Sequence, residues 1–163
     1  MGRLILMRHA KSSWDDLALD DHDRPLNKRG RAAAKAMGQW LHGNSYLPDE
    51  VLSSTAQRTG ETFIGLGLDI VPSYKRALYH ANPDVMLAHL RQSQGNAVLM
   101  LGHNPGVAEF AARLVRNAPD HPRFSDYPTC ATLVADFSDD WKNVSWQSAD
   151  VVDFAIPREL PDG

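Results

Sequence analysis

With 163 residues, 43% of them hydrophobic, the chain has the length and apolar content for one domain around a sizeable core. Its net charge of −3 argues against general nucleic-acid binding, which needs a basic face. The one cysteine, Cys130, excludes a disulfide within the chain and a cysteine-rich zinc site, and fits a reducing compartment.

The N-terminus runs directly into an apolar segment without a basic region and signal-type stretch, and no apolar run approaches the length of a bilayer span. The expectation is a cytoplasmic protein without a membrane partner, folded as one domain over residues 1–163. Four consecutive apolar residues, 4–7, fit a buried strand and are too few for a helix. Arg8, His9 and Lys11 arrive where that run stops. The C-terminal end of a buried parallel strand is the usual address for chemistry in an open α/β sheet. Cations disfavour a protonated imidazole beside them, which leaves a ring nitrogen free to attack. Arginine adds a planar fork suited to phosphate oxygens. The stretch reads as a nucleophilic histidine in an anion site; the alternative is a strand end facing solvent.

Residues 12–23 are polar and carry Trp14 and five aspartates, Asp15, Asp16, Asp20, Asp21 and Asp23. They lack the spacing of a calcium loop and read as a solvated loop over the strand end. Asn27 is placed to cap a helix over residues 28–42, with Leu26 as a staple and Gly43-Asn44 as the stop. Val51-Leu52 predicts a short strand, followed by Ser53, Ser54 and a helix beginning near Thr55 or Ala56. Arg58 falls in the first turn of that helix, where the dipole favours negative charge, and a bound anion would resolve the conflict.

Residues 69–71 predict a third strand ended by Pro72, and residues 83–92 a helix capped by Asn82 with Pro83 at its first position. Residues 97–101 are the clearest buried strand. It ends in Gly102-His103-Asn104-Pro105-Gly106, so a second apolar strand delivers a histidine to a helix N-terminus. Residues 117–128 carry three prolines and read as an irregular loop. Residues 132–137 and 144–147 predict an antiparallel hairpin at a sheet edge, with a short strand over residues 151–156. Strand–helix alternation through residue 116 implies an α/β fold: a mostly parallel sheet, helices on both faces and an antiparallel edge near the C-terminus.

In such a sheet Arg8, His9, Arg58 and His103 converge at one edge as a phosphate pocket. Metal binding by the two histidines is the rival, and the adjacent arginines would repel a divalent cation. The motif around Arg8-His9 resembles the Arg-His signature of the histidine phosphatase superfamily, the phosphoglycerate mutase-like fold. The resemblance continues through Arg24-Pro25-Leu26 with Gly30, Ser53-Ser54 with Arg58 and Thr62, and Gly102-His103. Short length and the Arg-Pro-Leu entry make it most similar to SixA-type phosphohistidine phosphatases.

This resemblance implies a three-layer α/β/α sandwich that works without metal or other cofactor. It makes His9 the transiently phosphorylated nucleophile, Arg8 and Arg58 the phosphoryl-oxygen ligands, and His103 a further phosphate-binding group that stabilises the transition state. The implied substrate is phosphohistidine on a partner protein, such as a phosphotransfer domain or carrier. Many family members carry a glutamate after the third strand as proton donor, and none stands between Glu61 and Glu109. His80 and Asp84 are the nearby substitutes, each also readable as a surface or capping residue. Two alternatives stay open: a phosphomonoesterase for a small metabolite, and a phosphate-binding module without turnover. A cysteine phosphatase is excluded, because Asp136 stands six residues after Cys130, where arginine is needed.

Overall fold

The computed structural model describes residues 1–161. Six strands form one mixed sheet: β1 (Gly2–Arg8), β2 (Glu50–Ser54), β3 (Ser73–Lys75), β4 (Ala97–Gly102), β5 (Thr132–Phe137) and β6 (Asp150–Ala155). Their spatial order is β3-β2-β4-β1-β5-β6. The first four are mutually parallel; β5 runs antiparallel to β1, and β6 antiparallel to β5.

Alternating residues of the central strands feed two separate cores, as the twofold side-chain period requires. Leu4 and Leu6 of β1, with Val98 and Met100 of β4, pack on one face against α3 (Pro83–Arg91) and α4 (Gly106–Leu114). Ile5, Met7, Leu99 and Leu101 pack on the other face against α1 (Lys28–Gly43) and α2 (Gln57–Leu66). The result is the expected three-layer sandwich. All eight side chains are fully buried. At roughly 1.5–3 kcal/mol each, the four large side chains of β1 contribute roughly 6–12 kcal/mol, comparable with the whole net stability of a domain.

The helix caps follow the sequence. Asn27 Oδ1 accepts from the Gly30 amide at 2.8 Å, and Asn82 Oδ1 from the Val85 amide at 3.0 Å. Gly30 also lets α1 approach the segment after β1. A Cβ there would lie 2.1 Å from the Lys11 carbonyl oxygen, which accepts from the Asn27 amide at 3.0 Å.

Two predicted strands are corrected. The third strand is Ser73–Lys75, beyond Pro72, rather than residues 69–71. Its three residues are exposed at the sheet edge, so they carry no apolar pattern, while Ile70 packs against the α1/α2 core from a loop. Residues 144–147 form no strand, although Val144 and Trp146 alternate like one. Val144 is buried in the α3/α4 core, and Trp146 meets Phe110 edge-on at 6.0 Å. The partner of β5 is instead β6, with a bulge between Val134 and Ala135.

Candidate active site

Register brings the predicted residues together. Arg8 of β1 stands opposite Gly102 of β4, so His9 and His103 each lie one residue past the ends of adjacent parallel strands. The His9 amide donates to the Gly102 carbonyl at 3.1 Å, and the two imidazole centroids are 5.3 Å apart. β2 flanks β4 on its other side with Ser53 opposite Leu101, which carries Ser54 and the first turn of α2 to the same edge. Arg8, His9, Arg58 and His103 line one cavity of about 300 Å³, with Lys11, Trp14, Asp21, Arg24 and His80 among its other walls.

Two hydroxyl groups fix this edge. Thr62 of α2 donates to the Arg58 carbonyl at 2.7 Å and accepts from the Ala10 amide at 2.9 Å, tying the end of β1 to α2. Tyr127, fully buried, donates its hydroxyl to the Leu6 carbonyl at 2.6 Å. Its own carbonyl accepts from Arg8 Nη1 at 3.2 Å.

The hydrogen-bond pattern assigns the protons on both imidazoles. His9 Nδ1 lies 2.7 Å from the Ala10 carbonyl oxygen, which can only accept, so Nδ1 carries the hydrogen and Nε2 keeps its lone pair. His103 Nε2 lies 2.8 Å from Ser54 Oγ. That oxygen already accepts from the Ala56 amide at 3.2 Å. Ser54 is fully buried, and among the described residues its own proton has no acceptor other than His103 Nε2. Ser54 therefore donates, and the His103 hydrogen sits on Nδ1.

His103 Nδ1 and Arg8 Nε are the two buried side-chain polar atoms among the described residues that lack a partner. An unpartnered buried donor is costly, and both of these belong to residues that line the cavity.

Both imidazoles are held neutral. His9 is pushed down to about 3, first by burial and then by the charges of Arg58, Arg8 and Arg24, against an opposing hydrogen bond to the Ala10 carbonyl. His103 is pushed down to about 2, again chiefly by burial, with His9, Arg58 and His80 adding to it and Asp21 opposing. From the sequence, the neighbouring cations are the expected cause. Their sign is as expected, but desolvation is the larger cause.

The solvated reading of the acidic loop is corrected at one residue. Asp21, in a short 3-10 turn, reaches into the cavity and gathers its polar groups. Its carboxylate accepts from Arg24 Nη1 at 3.0 Å, Arg58 Nη2 at 3.0 Å, the Tyr79 hydroxyl and His80 Nε2 at 3.0 Å. Its backbone carbonyl accepts from Arg58 Nη1 at 2.6 Å. Burial opposes its charge, yet the bonds from Tyr79, His80 and Arg58, with the Arg58 charge, hold the carboxyl well below the usual range. Arg58 at the head of α2 thus meets a protein carboxylate as its counter-charge. Arg24 is likewise buried, bonded to Ser12, Ser13 and Asp21, with its guanidinium 3.3 Å over the Trp14 ring.

The sequence model for the histidine phosphatase superfamily (branch 1) matches residues 4–79, the stretch that carries Arg8, His9, Asp21, Arg24 and Arg58. The proposed phosphohistidine phosphatase SixA of Nakamurella multipartitia superposes with a TM-score of 0.83 at 30% identity, covering 96% of each chain. The chain belongs to the histidine phosphatase superfamily. An uncharacterized protein of Mycobacterium tuberculosis is 35% identical over 159 residues, spanning 93% of this chain and 100% of that relative. The proposed SixA of Agrobacterium tumefaciens superposes with a TM-score of 0.75 at 28% identity, covering 96% of this chain and 98% of that one.

Of the two substitute proton donors named from the sequence of this histidine phosphatase, His80 is in the cavity wall and Asp84 is not. Asp84 has a 78% exposed side chain, 3.9 Å from Arg113. Two contributors carry no mark in the sequence, Asp21 among five similar aspartates and Tyr127 in an irregular loop; Ser54 is marked there only as part of the Ser53-Ser54 motif, without its bond to His103. For the acidic loop, though not for Asp21 within it, the sequence holds a signal. Arg8, Arg24 and Arg58 at one edge call for a compensating anion, and the acidic loop is the nearest supply in sequence.

Proposed function

We propose that this protein is a metal-independent phosphohistidine phosphatase that acts on a phosphorylated partner protein through a phosphorylated His9. The observation that carries the reading is the bare Nε2 of a neutral His9 beside two buried donors, Arg8 Nε and His103 Nδ1, that lack an acceptor. A phosphoryl group set against His9 Nε2 occupies the cavity that Arg8, Arg58 and His103 line, and a small side-chain shift would offer its oxygens to those donors. Arg58 retains further N–H donors beyond the two engaged by Asp21. Fixed donors of this kind, aimed at charge that spreads over the phosphoryl oxygens, supply most of the catalysis in phosphoryl transfer.

The reaction runs in two displacements. His9 Nε2 attacks phosphorus, the substrate P–N bond breaks, and the leaving imidazole departs neutral because its ring is protonated near neutral pH. Water then attacks phosphorus on His9, the new P–N bond breaks, and inorganic phosphate leaves with His9 Nε2 restored. Neither leaving group is a strongly basic alkoxide.

That point selects the substrate. Expelling an alkoxide needs a proton donor in the transition state. Among the described residues lining the cavity the one carboxyl group is Asp21, which is held ionised and so has no proton to give. This supports phosphohistidine over alkyl phosphates. The three arginines around His9 also disfavour a divalent cation. A second reading draws on His80, whose ring lies 5.0 Å from His103 and bonds Asp21, and which could protonate a small-metabolite alkoxide.

The deciding experiment compares a histidine-phosphorylated protein with a panel of alkyl and aryl phosphates, with and without chelator. Rapid phosphohistidine turnover, slow aryl ester turnover and insensitivity to chelator are expected. A better rate on an alkyl phosphate, lost in His80→Ala, would install the small-metabolite reading. A chelator-induced loss restored by metal would overturn the metal-independent mechanism.

A further inference from the structure

A second groove, of about 510 Å³, shares Lys11 and Thr129 with the wall of the candidate active site. Three separate chain segments place cations on it: Lys11 after β1, Arg29 in the first turn of α1, and Arg158 in the turn after β6. All three are exposed, and none has an ion-pair partner among the described residues. The fourth cation, Arg123, is already neutralised by Asp126 at 2.9 Å.

Among the described residues no carboxylate lines the groove, and its floor includes the buried apolar side chain of Ile156. A chain of net charge −3 therefore keeps on one concave surface beside the catalytic cavity three positive charges that no described carboxylate pairs. Exposed cations over an apolar floor suit a polypeptide with acidic side chains. A lone inorganic ion would be better served by buried donors. Lys11 follows His9 by two residues, so a protein that delivers a phosphorylated side chain to His9 lays its neighbouring residues against this groove.

We propose that the groove receives the acidic flank of the phosphohistidine-bearing protein and so sets which phosphoproteins are dephosphorylated. This rests on the phosphohistidine reading above. Complementary charge at an interface rim acts mainly on encounter and selection of partners and is weakened by salt.

The test uses two short peptides phosphorylated on one histidine, one flanked by Asp and Glu and the other by Lys, with free phosphohistidine as the size control. At low ionic strength the acidic peptide should show kcat/KM at least about tenfold above the basic one, shrinking in about 0.5 M salt. In Arg29→Glu/Arg158→Glu the preference should vanish or reverse, with free phosphohistidine turned over within about twofold of the original rate. Equal kcat/KM for the two peptides in the unaltered protein would overturn the proposal without any variant. So would a double variant that slows free phosphohistidine as much as the acidic peptide. If no phosphohistidine compound is hydrolysed while an alkyl phosphate is, the substrate reading fails and the docking proposal falls with it.

Discussion

Lowering the pH from about 7.5 to about 5 probes the property on which the nucleophile depends, the neutrality of two buried imidazoles. His9 is 7% exposed and His103 3%, and burial first, then neighbouring charge, holds them at about 3 and about 2 against an ordinary 6.5. Below 6.5 the unfolded chain takes up protons at both positions and the native chain does not. Their contribution to stability is therefore complete above 6.5 and is lost progressively as the pH falls toward 3. One pH unit is worth about 1.4 kcal/mol per imidazole, so the step from 6.5 to about 5 costs about 2 kcal/mol at each, or about 4 for the pair. The control is His9→Asn/His103→Gln, which offers the Ala10 carbonyl a donor and Ser54 an acceptor but cannot titrate. Urea unfolding at the two pH values should show the unaltered protein losing about 4 kcal/mol more than the control. A difference below about 1 kcal/mol would show that the imidazoles are not held neutral, and the attacking lone pair on His9 would lose its explanation.

Arg58→Lys keeps the charge but loses the two-pronged hold on Asp21 and on phosphoryl oxygen, so kcat/KM should fall about 30-fold, or about 2 kcal/mol. Arg31→Lys, on the exposed side of α1, is the control, and equal effects at both positions would refute the pocket assignment. Ser54→Ala removes the donor that sets the His103 tautomer and leaves the buried Ala56 amide without its acceptor, so stability should fall by roughly 1–3 kcal/mol. In the same variant kcat should drop about 10- to 100-fold with a smaller change in KM, and ¹⁵N NMR should show His103 shifting toward the Nε2–H tautomer. An unchanged tautomer would refute the hydrogen-bond assignment.

The parts of the fold that were legible in the sequence are those buried on both faces. Residues 4–7 and 97–101 are unbroken apolar runs because β1 and β4 lie inside the sheet with helices above and below. Asn27 and Asn82 announced their helices because a cap is a local event, complete within a few residues. Ser73–Lys75 was not legible, since a three-residue edge strand is specified by its neighbour β2 and leaves no pattern of its own. Val144 and Trp146 misled for the converse reason: their alternation reflects packing against α3 and α4 without a ladder.

At the site, Arg8, His9, Arg58 and His103 could be brought together from strand ends alone, because parallel strands align their C-terminal ends. Asp21 could not be told from Asp15, Asp16, Asp20 and Asp23, since its difference lies in Arg24, Arg58, Tyr79 and His80, which reach it only after folding. The dominance of burial over cations in setting the His9 proton affinity was equally invisible, because depth in the fold is a tertiary quantity.

The central claim is that His9 carries the phosphoryl group during turnover. Its most direct test mixes the protein with a histidine-phosphorylated substrate, quenches with alkali within the first turnover and maps the bound phosphate by mass spectrometry. The account predicts acid-labile phosphate on His9, and a loss of turnover of at least about a thousandfold in His9→Ala. Undiminished turnover in His9→Ala, or phosphate trapped on a different residue, would contradict it.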